Sequence, residues 1–239
     1  MKGLATIARR ELTSYFRTPA GWVIIALFLL LTGLVFGRFV LAPGRPASLR
    51  DFFAVSGWLL LPVAPAISMR FLADEIRAGT IESLLTAPTT SAAIVLGKFL
   101  GGFVFLLTML APTGLYVVVL DRASTIPMDL GPILAGYLCL VLVGGLALAI
   151  GTFASSLTPN STLAFLISLF AMLALLMAPA AADFLPSGAR PVLYALALSS
   201  RIADFAKGVI DTAHVAFFLL TSVWFLAGAA CVTELRRWR

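Results

Sequence analysis

The chain has 239 residues, of which 61% are hydrophobic and 12% are charged, and its mean hydropathy is +1.04. This composition excludes an ordinary soluble domain and predicts an integral membrane protein with one membrane domain and about six spans of roughly 20 residues each. The formal charge of +6 fits basic residues beside a membrane better than nucleic-acid binding, and the two cysteines fall in apolar runs that indicate no disulfide framework.

The N-terminal residues 2–17 predict an amphipathic helix that lies at the membrane interface. Apolar side chains share one broad face of this helix, and basic residues lie opposite. Glu11 falls on the apolar face, where a carboxylate needs a partner or water. Two interpretations stay open: Glu11 pairs with a basic group of this chain or of a partner chain, or it lies at the edge of the face and reaches water.

Six membrane spans follow, so the predicted fold class is all-α, a polytopic membrane protein with six transmembrane helices. They are Gly21–Val40, Phe52–Met69, Phe99–Leu120, Ile133–Phe153, Leu163–Ala182 and Val215–Val232. The third span begins near Ala92 if a side chain of residues 89–91 caps it, and Pro112 predicts a kink within it. Lys98 would then snorkel toward the interface.

The segment Phe71–Pro88 separates the second and third spans and carries four charges. Because each charge would cost roughly 3 kcal/mol near the centre of a membrane helix, the segment must lie outside the hydrocarbon. Gly79 predicts a left-handed helix stop, and Thr80 is positioned to cap a second short helix that Pro88 ends. A short, stiff connector of this kind suits docking of a soluble partner, and an ordinary solvated loop is the alternative.

The distribution of Lys and Arg predicts that both termini are cytoplasmic, because the larger basic set then lies inside. That set is Lys2, Arg9, Arg10, Arg17, Arg70, Arg77, Lys98, Arg236, Arg237 and Arg239. This orientation places 71–88 and a short turn at 154–160 on the cytoplasmic side. It makes 183–214 the largest external connection, where helices at the outer surface are expected.

Two GxxxG spacings, Gly33–Gly37 and Gly97–Gly101, predict close helix packing, which serves either a dimer interface or the sliding of helices past one another. Gly97-Lys98 lacks the upstream glycine and the Ser or Thr of a nucleotide-binding loop, so no ATP site is predicted. His214 is the only histidine, and we interpret it as an interfacial residue rather than a metal ligand.

Several segments together resemble a known family. They are RRELTSYFRTPAGW, MRFLADEIRAGTIESLLTAP, VLGKFLGG, AIGTFASSLTPNS and a terminal RRW. The chain resembles the permease subunit of type-2 ABC exporters, and is most similar to the branch of gliding-motility-type and nitrous-oxide-reductase-accessory permeases. The most specific likeness is the pattern from Glu75 to Leu85.

The resemblance implies that 71–88 is a coupling helix that contacts a separate ATPase subunit. The implied contact residues are Asp74, Glu75, Arg77, Gly79, Thr80, Glu82, Leu84 and Leu85. Ser155, Ser156 and Asn160 would form the second cytoplasmic loop near the ATPase, and Arg10 and Glu11 would belong to an elbow helix that also touches it. The external connection would form a gate or lid, and a loop that merely returns the chain is the alternative.

The resemblance also implies a homodimer in the bacterial inner membrane, with two ATPase subunits beneath it and room for an accessory extracytoplasmic subunit. The chain itself would be no enzyme and bind no cofactor, since ATP and Mg would bind the partner subunit. Three alternatives stay open: a secondary carrier or channel without an ATPase, a membrane-embedded enzyme, and a family permease that acts mechanically on a membrane-bound lipid or protein.

Overall fold

The computed structural model describes residues 2–41, 48–80, 90–124, 129–182 and 190–237, and every regular element within these ranges is helical. The helices are α1 (Lys2–Arg17), α2 (Pro19–Val35), α3 (Arg50–Ser68), α4 (Ala73–Ala78), α5 (Ser91–Leu110), α6 (Gly114–Ala123), α7 (Leu130–Leu157), α8 (Ser161–Ala182), α9 (Arg190–Leu196), α10 (Leu198–Ala206) and α11 (Thr212–Arg237). A π-helical turn, Phe36–Val40, extends α2, and a 3-10 turn, Ala111–Thr113, joins α5 to α6.

Within the described ranges, six helical stretches are long and apolar enough to cross a membrane, which confirms the all-α class. They are Pro19–Val40, Arg50–Ala78, Ser91–Ala123, Leu130–Leu157, Ser161–Ala182 and Thr212–Arg236. We refer to them as spans 1 to 6 in this order. Each stretch overlaps one of the six spans predicted from the sequence.

Local signals set the limits of span 3. Thr90 is its N-cap, because its Oγ1 accepts a hydrogen bond from the amide of Ala93 at 3.2 Å. The α-helix ends at Leu110, and the following 3-10 turn contains Pro112, which has no amide proton to continue the ladder. The predicted cap is therefore confirmed, and the α-helix is interrupted at Pro112, where the sequence predicts a kink.

Span 4 lies at the centre of the bundle and is its most buried span. Glycines on α7 allow neighbouring helices to approach closely. A Cβ added to Gly144 would lie 2.7 Å from Leu106 Cδ1, and one added to Gly136 or Gly151 would overlap Phe53 or Ser68. Spans 1 and 6 lie at the periphery and leave most of their apolar surface uncovered by the chain.

The apolar face of the amphipathic helix α1 packs on α5 of the same chain. Tyr15 stacks on Phe105 with ring centroids 4.5 Å apart, and its hydroxyl donates to the carbonyl of Ile67 at 2.6 Å. Gly97 and Gly101 make room for α1, since a Cβ on Gly101 would lie 2.8 Å from the Ala8 carbonyl oxygen. The second GxxxG pair thus serves packing within one chain.

Because successive spans run in opposite directions, one end of the bundle gathers α1, the connector residues 69–80, the turn Thr158–Asn160 and the C-terminal end of α11. We call this end the connector face. The starts of α3, α7 and α11 lie at the opposite end, together with α9 and α10. Leu198 and Phe205 of α10 are fully buried, so this helix is packed onto the bundle.

Candidate functional site

The connector begins with α4, a helix of six residues that Gly79 ends. Gly79 has φ 70° and ψ 1°, the left-handed conformation that glycine adopts without strain, as the sequence predicts. Asp74 and Glu75 lie in the first turn of α4, where the helix dipole favours negative charge. The predicted second helical piece, with Glu82, Leu84 and Leu85, lies outside the described residues.

The hydroxyl of Ser155 holds the junction between α3 and α4. Its Oγ accepts hydrogen bonds from the amides of Leu72 and Ala73, both at 2.9 Å, and donates to the carbonyl of Met69 at 3.0 Å. These are backbone groups that a helix end leaves without an intrahelical partner. Ser155 is fully buried, so span 4 fixes the geometry with which the chain enters the connector.

Lys98 joins the connector to span 3 and to α1. Its Nζ lies 2.8 Å from Glu75 Oε1 and 3.3 Å from Glu11 Oε2. Lys98 is only 6% exposed, because α1 covers this part of α5. The expectation that Lys98 snorkels to the interface is therefore wrong. Of the two interpretations of Glu11, the one in which it pairs with a basic group of this chain is confirmed.

This cluster of Glu11, Glu75 and Lys98, which we call the ion triad, carries one positive and two negative groups. Burial raises the pKa of Glu11 above 4.5, and the charge of Glu75 adds to that rise, while Lys98 and Arg10 oppose it. The second oxygen of Glu75, Oε2, is buried without a hydrogen-bond partner among the described residues. The triad therefore depends on Lys98, which is the counterion that both carboxylates share.

The ion triad engages one of the residues that were predicted to contact an ATPase subunit. The carboxylate of Glu75, predicted from the resemblance to meet an ATPase subunit, is directed to Lys98 within the chain. Arg77, Gly79 and Thr80 are exposed, and Asp74 is half-buried. The contacts of these four residues with a partner stay predictions.

The second connection of the connector face is shorter than predicted. Helix α7 continues through Leu157, so Ser155 and Ser156 lie in its last turns and are buried; the predicted turn at 154–160 is wrong in its first half. The helix ends where Thr158 adopts the extended conformation that a following proline, Pro159, favours. Asn160 is exposed, and its Oδ1 accepts from the amides of Thr162 and Leu163 at the start of α8.

The C-terminal end of α11 packs at the connector face through polar contacts that the sequence pattern does not indicate. Arg236 Nη2 donates to the carbonyls of Ser156 and Leu157, at 3.2 and 3.4 Å, and so occupies the C-terminal carbonyls of α7. Ser91 at the start of α5 donates to the carboxylate of Glu234. Spans 3, 4 and 6 are thus tied together at this end by polar side chains.

The outer side of α1 is basic. Arg9, Arg10 and Arg17 are exposed and line, with neighbouring hydroxyl side chains, a shallow concavity of about 510 Å³. Arg10, predicted as an elbow-helix contact residue, therefore lies on a surface open to a partner or to headgroups.

The only histidine lies at the opposite end of the bundle and contacts side chains of α10. His214 Nε2 is 3.1 Å from Asp204 Oδ2, and its Nδ1 is 3.0 Å from Arg201 Nη1. Because arginine only donates, Nδ1 accepts and the proton of the neutral ring is on Nε2. Among the described residues no group of three or more His, Cys, Asp or Glu side chains is placed to hold a metal ion.

Residues 46–199 match the model of the family described as ABC-2 family transporter protein. No curated protein matches the chain. The matched region is more than half of the sequence and contains spans 2 to 5, the connector and Ser155. With its six apolar helices, the protein is a multi-pass membrane permease of the ABC transporter class, and it belongs to the ABC-2 family of transporter proteins.

Proposed function

We propose that the chain is the permease subunit of an ATP-driven exporter, which forms its translocation pathway as a homodimer and couples to a separate ATPase subunit. Members of this family are membrane components and are not themselves ATPases. ATP and Mg then bind the partner, and this chain supplies the pathway and the mechanical coupling. In this proposal the protein lies in a bacterial inner membrane with both termini cytoplasmic.

The observation that carries the proposal is the way in which the connector is anchored. Ser155 ties its start to span 4, and Lys98 ties Glu75 to span 3 and to α1. A displacement applied to α4 would therefore reach several spans and not be lost in a flexible loop. Coupling between distant sites requires such packed, contiguous elements.

The exposed side of the connector is the proposed docking surface. Arg77 and Thr80 face outward at the end of α4, next to the exposed backbone of Gly79. Rim charges such as Arg77 set orientation and association rate at protein interfaces. Arg10 of α1 is exposed on the same face of the bundle and extends this surface. Glu82, Leu84 and Leu85 lie outside the described residues, and their contact with the ATPase is proposed from the resemblance alone.

A secondary carrier or channel is favoured less by the same observations. Such a protein needs polar groups along a pathway through its spans. Among the described residues Lys98 is the one buried charged side chain, and its two carboxylate partners come from α1 and α4 at the connector face. Its charge is thus engaged in holding helices together.

The proposal is tested by co-expressing the protein with candidate ABC ATPase subunits from the same organism. We expect Arg77→Glu to weaken co-purification of the two subunits and to lower stimulation of ATPase activity, because it reverses a charge at the rim of the interface. Arg122→Glu is the matched control, because Arg122 is an exposed arginine at the end of α6, away from the connector face. If Arg77→Glu folds with an unchanged Tm and binds and stimulates the ATPase as the wild type does, the connector is not the docking surface.

A further inference from the structure

An apolar cavity of about 220 Å³ lies in the half of the bundle away from the connector face, between α3, α7, α8 and α10. Its walls include Phe53 and Leu61 from α3, Leu140 from α7, Leu176 from α8 and Ile202 from α10. Pockets for whole drug-sized ligands are typically about 300–1,000 Å³. The cavity therefore suits one hydrocarbon chain rather than a complete bulky substrate.

The cavity opens to the side of the bundle. Trp58, which lines it, is 56% exposed within an apolar span, so this wall of the cavity reaches the outer surface of the chain. Gly57 lies in the same wall, and a Cβ built on it would have no atom within 4 Å. The space beside Gly57 is thus unfilled by the protein's own side chains.

A second cavity, of about 150 Å³, adjoins the first and is polar. Phe53 and Ala206 line both cavities, and Ser48, Arg50 and Asp129 line the second. These three polar residues immediately precede or begin α3 and α7, so the polar cavity lies nearer the end of the bundle and the apolar cavity lies deeper. The lining therefore changes from polar near the end of the bundle to apolar deeper inside, as a bilayer leaflet changes from headgroups to acyl chains.

We propose that the two cavities form one binding site for a phospholipid with a zwitterionic, amine-bearing headgroup. One acyl chain occupies the apolar cavity. Arg50 binds the phosphate, for which a guanidinium is well suited, and Asp129 binds the ammonium group. Asp129 Oδ1 already accepts from the amide of Gly131 at 2.9 Å, which leaves the other oxygen of this exposed carboxylate for the lipid.

Helix α10 forms one wall of the apolar cavity and is tied to the start of α11. Its side chains Ser199, Ile202 and Ala206 line the apolar cavity, whereas Arg201 and Asp204 bind His214 at the start of α11. Helix α10 is amphipathic: its apolar side covers the acyl chain, and its polar side fixes the helix to α11. The site requires neither the ATPase nor a dimer, and in the orientation proposed above it belongs to the outer leaflet.

The site is tested with the full chain in nanodiscs of equimolar phosphatidylethanolamine and phosphatidylglycerol that contain a trace of phosphatidylethanolamine with a photoactivatable acyl chain. We expect adducts on peptides of α3, α7 and α10 that line the apolar cavity. Gly57→Leu, which fills the cavity, removes the adducts on α7 and α10. Gly37→Leu is the matched control, because a Cβ there also has no atom within 4 Å and Gly37 lines neither cavity.

Two outcomes overturn the site. Unchanged labelling in Gly57→Leu means that the adducts come from lipid around the protein. No labelling of α7 and α10 in the wild type means that no lipid chain enters the cavity, either because a second copy of the chain covers the opening or because the cavity stays empty. Peptides of α11, whose exposed Trp224 faces away from the packed core, report labelling by surrounding lipid in every sample.

The headgroup is tested in the same nanodiscs by comparison with a phosphatidylglycerol probe that carries the same acyl chain. We expect the ethanolamine probe to label the cavity more strongly, and both probes to label α11 equally. Arg50→Gln lowers cavity labelling, and Arg122→Gln leaves it unchanged. Equal cavity labelling by the two probes, or full labelling in Arg50→Gln, refutes the zwitterionic headgroup.

Discussion

Lys98 Nζ and Glu75 Oε1 lie 2.8 Å apart, and this ion pair joins span 3 to the first helix of the connector. The same ammonium group reaches Glu11 of α1 at 3.3 Å. One side chain therefore holds three helices at the connector face. Its removal is expected to affect all three.

We predict that Lys98→Met destabilises the protein by about 3–5 kcal/mol, because two buried carboxylates then lose their counterion. The measurement is thermal unfolding in detergent. The triple variant Lys98→Met/Glu11→Gln/Glu75→Gln should recover most of the lost Tm, since it removes the uncompensated charges with little change in volume. An equally low Tm in both variants would show that Lys98 acts through packing and not through charge.

Glu11→Gln is expected to be mild by comparison, because Lys98 keeps Glu75 as its closer partner. It should also change the pH dependence of stability. The raised pKa of Glu11 means that the folded state holds this proton more tightly than the unfolded state, so stability falls as pH rises above 4.5 toward the raised value. Tm measured from pH 4.5 to neutrality should fall less in Glu11→Gln than in the wild type. Parallel curves would contradict this.

Ser155→Ala is predicted to loosen the junction between α3 and α4. The amides of Leu72 and Ala73 and the carbonyl of Met69 lose their shared partner in a buried site, at a cost of about 1–3 kcal/mol. Hydrogen exchange of residues 72–80 should increase. Ser156→Ala is the control, because the Ser156 hydroxyl only donates to Phe153 within its own helix. Equal exchange in the two variants would argue against the role of Ser155.

Gly101→Ala is predicted to displace α1 from span 3, because the new Cβ would lie 2.8 Å from the Ala8 carbonyl oxygen. Alanine otherwise favours a helix over glycine by about 1 kcal/mol. Gly37→Ala, where the Cβ meets nothing within 4 Å, should accordingly keep or raise the Tm. A Gly101→Ala variant with a Tm as high as that of Gly37→Ala would mean that α1 adjusts without cost.

The features that the sequence predicts well depend on neighbours in the chain. The six apolar stretches, the cap at Thr90, the interruption at Pro112 and the left-handed stop at Gly79 all follow from residues within a few positions of one another. Glu11 was recognisable as an exception, since a carboxylate on an apolar face needs a partner. The amphipathic pattern of α1 indicates that Glu11 needs a counterion but does not indicate where in the chain that counterion lies.

The features that the sequence did not predict depend on contacts between distant residues. Lys98 and Glu11 are 87 positions apart, and Ser155 meets the amide of Leu72 across 83 positions. Lysine near a span end ordinarily snorkels, and only the packing of α1 on α5 buries Lys98. The same holds for Arg236, whose partners on α7 are set by how spans 4 and 6 come together.

The separation of Glu11 and Lys98 has a consequence for biogenesis. Helix α1 is synthesised first, but the cation that neutralises its buried carboxylate belongs to span 3. Before that span enters the bilayer, α1 can already contact Trp22 of span 1 and the Ile67 carbonyl of span 2, but Glu11 lacks the ammonium group that neutralises it. The N-terminal helix therefore completes its contacts only after half of the membrane insertion is complete.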